Sequence, residues 1–407
     1  MGDKKTNNSK VLWYILFAFI TVIVCYLFIV VYFYFISPYN ISLKLAFWPF
    51  VPEHNIGEMY LDATVDISFS GKDIYTLDPV EREIVGVNVR IDGYVVAPYD
   101  EIKSCTDMSD FKIRTNDGRF YNGKLLFSDV NYNLAVIKCE NVGENDKKIK
   151  IPYVNVVDVS NVVEQDTSVF AVASPLKTKT MWEGTVKNPE ISNVYKEVVV
   201  SGIVGVDFVI EDCYSVMLET ADVEFSGGAV FDKSGNILGL SYEETLTDGS
   251  HVIMPIDSVN LFLDEIVAAY QAGKTYKNTL VESIVGFDDI ELTCFQIASA
   301  QNTTESARNT FYFANHFPGY TDNIRRFGNS DIFGYFLFED FVWNEQTVLS
   351  QDKVLTALKL NGKVQNIESK LDLLKVLYSA KENDTLKIYY YEIDSLGSNL
   401  QSVSVKI

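Results

Sequence analysis

The most informative part of this sequence is Leu218-Glu219-Thr220-Ala221-Asp222-Val223-Glu224-Phe225-Ser226-Gly227-Gly228-Ala229-Val230. At its centre a serine precedes two glycines, which let the backbone turn sharply and leave the serine hydroxyl uncovered. This arrangement is typical of a serine nucleophile, but Ser-Gly-Gly is also an ordinary hairpin turn. The surrounding strands, and the presence or absence of a base, therefore decide between the two interpretations.

Short alternating strands, separated by Gly, Asn and Asp, surround this stretch. They are predicted over Ala63–Phe69, Val85–Ile91, Tyr94–Ala97, Asn133–Lys138, Ser168–Ala173, Glu197–Val206, Ser215–Leu218 and Ala229–Leu240. Strands at this spacing, with few helical periods between them, predict an all-β barrel or sandwich. Val259–Ala272 is apolar at helical spacing, so we expect a helix to close this domain.

The C-terminal region has a different pattern and follows a polar linker at Lys274–Asn278. Strands are predicted over Phe333–Phe338 and Thr385–Tyr391, and a helix over Ile367–Lys381. Asn361-Gly362 is the strongest short signal for a β-hairpin turn. These features predict a separate α+β module.

The N-terminal region predicts a membrane anchor. Residues 1–10 are polar, and residues 11–36 are an uncharged apolar run of 26 residues. As a helix this run is about 39 Å long, enough to cross a hydrocarbon core of roughly 30 Å. Lys4, Lys5 and Lys10 precede it, so the positive-inside rule places residues 1–10 in the cytoplasm and the bulk of the chain outside. A buried helix of a soluble domain is the alternative, and residues 37–57 are interpreted as a tether.

Charge and cysteine content exclude several function classes. The chain has 34 basic and 55 acidic residues and a net charge of −21, so nucleic acid is not an expected partner. Cys105, Cys139, Cys213 and Cys294 fit neither a metal motif nor a dense disulfide framework. One disulfide bridge and four buried thiols are both compatible with the sequence. We find no metal cluster and no phosphate-binding loop, and expect no cofactor.

Several segments, in order along the chain, resemble the HtrA (DegP/DegS-like) serine proteases. They are Gly86–Val96, Asp129–Lys138, Phe170–Leu176, Val200–Val204, Ser226–Gly239 and Val252–Ile256, and Asp352–Leu386 is similar to the second half of a PDZ domain. The resemblance implies a mainly β chain with a transmembrane helix over 11–36, a two-barrel trypsin-like domain over 58–273 and an α+β PDZ-like domain over 280–407. Because the family tends to form trimers, it also implies a homotrimer as one oligomeric state.

The catalytic positions depart from the family pattern. Ser226 stands at the nucleophile position, but Asp100 replaces the family's histidine and Asn133 replaces its aspartate. Glu224 occupies a position where the family has a glycine whose N–H helps to bind the oxyanion. A serine nucleophile needs a base with a pKa near the working pH, which imidazole offers and a carboxylate does not. A carboxylate at the oxyanion site would also oppose the developing negative charge.

A relocated base is the one route to an active site that the sequence leaves open. His251 precedes the strand that resembles the substrate pocket, with Val252 and Ile253, so it is the histidine placed to reach Ser226. The alternative for His251 is an ordinary position in a surface hairpin. His54 and His316 are expected to be structural or exposed.

The peptide-binding residues of a PDZ domain are expected at Ile284, Val285, Gly286 and Phe287, which resemble its carboxylate-binding loop and following strand. Such domains add an extended C-terminal peptide to a sheet edge. We therefore interpret the chain as a membrane-anchored, extracytoplasmic pseudoprotease that binds unfolded polypeptides or protein C-termini. The alternatives are an active HtrA/DegS-type serine endopeptidase with nucleophile Ser226, and an architectural envelope protein that binds no peptide.

Overall fold

The computed structural model describes most of the chain. The described residues are 4–32, 40–47, 53–129 without 75, 132–141, 149, 151–159, 162–173, 180–219 without 201–202, 228–276 without 247, 324–326, 333–337, 340–343, 346–350, 352–367, 370–381, 383–392 and 398–407.

A long apolar helix, α1 (Lys4–Val31), begins the chain. Its segment Val11–Val31 is long and apolar enough to cross a membrane, and almost all of its side chains are exposed to solvent. By length and composition this segment is either a membrane span or a signal sequence. The last residues of the predicted span, up to Ile36, lie outside the described part of the chain.

Two short helices, α2 (Ile41–Phe47) and α3 (Glu53–Ala63), occupy most of the segment interpreted as a tether. Both pack on the body of the protein. Ser42 Oγ donates to the carbonyl of Gly235 at 2.8 Å, and Tyr60 Oη donates to the carbonyl of Asp232 at 2.7 Å. The helices α2 and α3 are therefore fixed against one β-turn, at residues 232–236.

The first barrel lies between residues 64 and 140. Its strands are β1 (Thr64–Asp73), β2 (Pro79–Arg90), β3 (Tyr94–Pro98), β4 (Cys105–Thr106), β5 (Phe111–Thr115), β6 (Phe120–Asp129) and β7 (Leu134–Glu140). Six strands follow one another in the order β2-β3-β7-β6-β5-β1, and pairing of β1 with β2 closes the ring. The two-residue strand β4 pairs with the end of β1.

The second barrel is also closed and six-stranded. Its strands are β8 (Ser168–Ala173), β9 (Thr180–Val200), β10 (Ile203–Leu218), β11 (Ala229–Asp232), β12 (Ile237–Thr245) and β13 (His251–Pro255), in the order β10-β13-β12-β11-β8-β9. A 3₁₀ turn at Asp257–Leu261 and the helix α5 (Leu263–Gln271) follow it, where the sequence predicted one helix. The short helix α4 (Asp100–Lys103) lies in the first barrel, after β3.

The period-two pattern of these strands explains how the barrels pack. Along β3, Val95 and Ala97 belong to the interior of the first barrel, whereas Tyr94 and Val96 belong to the apolar cluster between the two barrels. In β8, Ala171 faces the interior of the second barrel. Because alternate side chains point to opposite faces, a strand buried on both faces carries an uninterrupted apolar run.

Two of the predicted strands are wrong. The segment Glu197–Val206 is not one strand, because β9 ends at Val200 and β10 begins at Ile203, with these two residues paired across a hairpin. The part of β9 that pairs with β8 is residues 180–185, whereas Val200 and Ile203 lie at the other end of the β9–β10 hairpin. The predicted strand Ala229–Leu240 is likewise a hairpin of β11 and β12. In both cases a Gly-containing turn signal lay inside the apolar run.

The C-terminal region is a β-sheet with one helix. Its elements are β14 (Ile324–Arg326), β15 (Phe333–Phe336), β16 (Phe341–Trp343), β17 (Gln346–Leu349), β18 (Lys353–Leu360), β19 (Lys363–Asn366), α6 (Lys370–Ser379), β20 (Thr385–Glu392) and β21 (Gln401–Lys406). The main sheet has the order β14-β15-β18-β20-β21, with β19 on β18, and β16 pairs with β17. Asn361 and Gly362 form the predicted turn, with φ of 50° and 86°.

Cysteine chemistry in the described chain is simple. Cys105, Cys139 and Cys213 are buried, reduced thiols, and burial raises the pKa of Cys139 to about 12. Cys25 of α1 is exposed. Cys294 lies outside the described residues.

Candidate functional site

The barrel topology brings together two of the predicted catalytic positions. Pro98, at the end of β3, pairs with Leu134, at the start of β7. Asp100, two residues after β3, therefore meets Asn133, the residue before β7. Both are inside the protein, with 4% of Asp100 and 0% of Asn133 exposed.

Asn133 holds Asp100 through its side-chain amide. Its Oδ1 accepts hydrogen bonds from the backbone amides of Tyr99 at 3.0 Å and Asp100 at 2.7 Å. Its Nδ2 donates to Oδ1 of Asp100 at 3.3 Å. Asn133 adopts a left-handed backbone with φ of 49°, a conformation that asparagine tolerates better than most residues.

This pair has the relative placement of a general base and its orienting partner, but not their chemistry. A neutral amide cannot stabilise an imidazolium, and a carboxylate is a weak acceptor for the proton of a serine hydroxyl. The oxygen of the Asn133 amide is occupied by two backbone donors, so it fixes the turn at the start of α4. The arrangement is that of a buried structural pair.

A cavity of about 250 Å³ opens beside this pair, between the two barrels. Its lining residues are Glu81, Arg82, Glu83, Ile84, Pro98, Asp100, Glu101 and Asn133 from the first barrel and Ser241, Tyr242 and Met254 from the second. Arg82 lies 3.6 Å from the carboxylate of Glu101 and 3.8 Å from that of Asp73. The cavity wall is therefore acidic, with one cation among four carboxylates.

The sequence did not identify most of this wall. Glu81, Arg82 and Glu83 belong to the outer half of β2, which forms an antiparallel hairpin with β1, and no motif marks them as site residues. Ser241 and Tyr242 belong to β12 and reach the cavity because the barrels pack side by side. In the sequence Glu81, Arg82 and Glu83 are three consecutive charged residues, a pattern that is also typical of a solvated strand end.

The predicted nucleophile and oxyanion positions, Ser226 and Glu224, lie outside the described residues, as do Ile284, Val285, Gly286 and Phe287. The described chain resumes at Gly228, whose carbonyl accepts a hydrogen bond from the amide of Ser241 at 2.6 Å. Since Ser241 lines the cavity, Gly228 is bonded to a residue of the cavity wall.

His251 lies at the start of β13 and pairs with Val216 of β10 and Thr245 of β12. It is 8% exposed, so it is a buried strand residue rather than part of a surface turn. Burial lowers the pKa of His251, which favours the neutral imidazole. Val252 and Ile253 are fully buried in the apolar cores, and it is the next residue, Met254, that lines the cavity.

Residues 86–240 match the family model described as "Trypsin-like peptidase domain". The matched segment includes Asp100, Asn133 and Ser226. A comparison with curated proteins finds no match to this chain. The family match and the two closed six-strand barrels together show that this chain contains a trypsin-like peptidase domain with a trypsin-like serine protease fold.

Proposed function

We propose that this chain is a membrane-anchored, extracytoplasmic, HtrA-like pseudoprotease that binds or scaffolds polypeptides. The observation that carries the proposal is the buried pair of Asp100 and Asn133. At the two positions where a trypsin-like site needs a base and its partner, the chain has a carboxylate and an amide bonded to each other.

The chemistry of proton transfer supports an inactive site. Peptide hydrolysis by a serine needs one group that takes the hydroxyl proton and then gives it to the leaving amine. Asp100 is bonded to Asn133 and sits at the first turn of α4. Glu224, at the oxyanion position, adds a negative charge where the reaction would develop another.

The C-terminal region supports a binding role. The order of the hairpin β18–β19, the helix α6 and the strand β20 is similar to the second half of a PDZ domain. Such a module gains affinity from main-chain hydrogen bonds at a sheet edge and needs no catalytic group. The expected groove has a strand from Phe287 on one side and α6 on the other.

The N-terminal helix supports an anchored location. Val11–Val31 has the length and hydropathy of a membrane span, and the three lysines before residue 11 favour a cytoplasmic N-terminus. A homotrimer remains one oligomeric state that the resemblance to the HtrA family implies.

Turnover of an unfolded substrate tests the proposal. The full chain in detergent or nanodiscs is incubated with fluorescently labelled casein, beside the Ser226→Ala variant. We expect the same background release from both. Release by the parent chain that is lost in Ser226→Ala would establish the alternative, an active endopeptidase with Ser226 as nucleophile.

A second assay tests the binding role. The full chain is titrated with a library of C-terminal peptides and with amidated copies of each binder. We expect micromolar binding of some free-carboxylate peptides, about −8 kcal/mol, and weaker binding after amidation. A library without binders, or binders that are insensitive to amidation, would leave the architectural role.

A further inference from the structure

Asp129, the last residue of β6, makes a contact that the trypsin-like fold alone does not require. It is buried, with 6% of its surface exposed. One carboxylate oxygen, Oδ1, accepts a hydrogen bond from the backbone amide of Tyr132 at 2.9 Å. The other, Oδ2, accepts a hydrogen bond from the hydroxyl of Tyr378, which lies in α6 of the C-terminal region.

Aromatic side chains surround this bond. The ring of Tyr378 lies 5.8 Å from that of Tyr132 and 5.5 Å from that of Phe262, centroid to centroid. Phe127, two residues before Asp129, packs on Phe262 at 4.7 Å and on Tyr276 at 5.5 Å. These five aromatic residues and Asp129 are called the seam cluster below.

Further contacts extend the seam cluster along α6. This helix contacts the 3₁₀ turn at Asp257–Leu261 and strand β10 of the second barrel. Leu374 and Tyr378 of α6 belong to the same buried apolar cluster as Phe262 and Ile266 of the barrel domain. The C-terminal region is therefore packed on the barrels by one continuous core.

The seam cluster is continuous with the Asp100–Asn133 pair. Asp129 fixes the amide of Tyr132, Tyr132 is the neighbour of Asn133, and Asn133 accepts the amides of Tyr99 and Asp100. Burial and the adjacent Asp129 carboxylate raise the pKa of Tyr378, so the hydroxyl stays protonated as a donor.

We infer that Asp129 and Tyr378 are positioning residues that couple the C-terminal region to the inter-barrel site. Docking of α6 holds Asp129 and Tyr132, and these residues set the position of the adjacent Asn133 and, through it, of Asp100 at the cavity wall. Any event that moves α6 away from the barrels changes the cavity through this line of contacts. This coupling holds whether or not Ser226 acts as a nucleophile.

Amide hydrogen exchange on the full chain tests the coupling, with the Tyr378→Phe variant. This change removes one hydroxyl and keeps the ring in the seam cluster. Tyr270→Phe is the matched control, because Tyr270 Oη also donates to a carboxylate, that of Glu140 at 2.6 Å, but both of these residues belong to the barrel domain. A hydrogen bond to a charged group contributes enough free energy that its loss should raise the population of the locally open state at least about tenfold.

We expect Tyr378→Phe to accelerate exchange at the amides of Tyr132, Tyr99 and Asp100 by at least about tenfold, with no acceleration at Ile113 inside the first barrel. Tyr270→Phe should leave all three site amides unchanged. Unchanged exchange at Tyr99 and Asp100 in Tyr378→Phe would overturn the inference. An equal acceleration at Ile113 would also overturn it, because that result indicates general destabilisation rather than coupling.

Discussion

The amide of Asn133 donates from Nδ2 to Oδ1 of Asp100 across 3.3 Å, inside the first barrel at its boundary with the second. The same asparagine accepts two backbone amides at the start of α4. The trypsin-like fold thus brings the two predicted catalytic positions together, and their side chains form a structural hydrogen-bond network. On this ground we propose a binding role for the chain rather than a catalytic one.

Removal of the Asn133 side chain should destabilise the protein. Asn133→Ala leaves the buried amide of Asp100 without its side-chain acceptor and places alanine at φ of 49°, whereas the amide of Tyr99 keeps the backbone carbonyl of residue 133 at 3.1 Å. An unsatisfied buried group costs about 1–3 kcal/mol and a left-handed alanine about 1–2 kcal/mol, so we expect the free energy of unfolding to fall by roughly 2–4 kcal/mol. Urea denaturation measures this change. Asn122→Ala, on the exposed side of β6, is the control and should change stability by less than about 0.5 kcal/mol.

A loss at Asn133 no larger than at Asn122 would contradict the structural role of the pair. It would indicate that the turn before α4 holds its conformation without the amide.

Gly235 should be essential for docking of the N-terminal helix α2. Its φ is +82°, and a Cβ there would lie 2.8 Å from Cδ1 of Leu45. Gly249 has the same φ of +82°, with no described atom within 4 Å of a Cβ, so Gly249→Ala is a matched control. Both variants incur the cost of a left-handed alanine, about 1–2 kcal/mol. We expect Gly235→Ala to lose a further 1–3 kcal/mol, roughly, through overpacking, measured by urea unfolding.

Equal losses in the two glycine variants would contradict the docking of α2. They would mean that Leu45 does not lie against the 232–236 turn in solution.

The fold was predictable from the sequence to the extent that local patterns determine it. Short strand-like segments predicted β3, β7 and β8 almost to the residue, because each of these strands lies in a barrel wall and is buried on both faces. The same pattern misled at Glu197–Val206, where apolar residues stand on both sides of Ser201-Gly202. The tether interpretation overlooked α2 and α3, whose burial depends on a turn nearly two hundred residues later.

The candidate site was predictable only in part. Asp100 and Asn133 were identified by their place in a motif, and the structure brings them together. The acidic wall formed by Glu81, Glu83 and Glu101 was not identified, because these residues match no motif and become a cavity wall only where the first barrel lies beside β12 and β13 of the second. The contact between Asp129 and Tyr378 spans 249 residues, and no local pattern marks either member.

His251 should make the stability depend on pH in the acidic range. Burial lowers its pKa in the folded protein below the ordinary value of 6.5. The unfolded chain therefore binds a proton at His251 more readily than the folded chain does. The stability that the neutral, buried imidazole contributes is fully present above pH 6.5 and is lost as the pH falls through the pKa of the folded protein. Urea unfolding between about pH 7.5 and pH 5 should show a steeper loss for the parent chain than for His251→Gln.

Parallel pH curves for the parent chain and His251→Gln would contradict the burial of this imidazole. They would place His251 in a solvent-exposed position and reopen its role as a relocated base.

The membrane orientation has a direct test in intact cells. With residues 1–10 in the cytoplasm, protease added outside should remove the bulk of the chain and leave a small fragment that contains α1. Inside-out vesicles provide the control, and there the ectodomain should be protected. Protection of the C-terminal region in intact cells would reverse the orientation.

Reactivity of the Ser226 hydroxyl tests the central claim most directly. A fluorophosphonate probe labels a serine only when a base activates its hydroxyl. The full chain is treated with the probe beside its Ser226→Ala variant and an active trypsin-like protease, and the adduct is quantified by mass spectrometry. We predict no labelling of Ser226 under conditions that label the active protease completely. Stoichiometric labelling that disappears in Ser226→Ala would contradict the account.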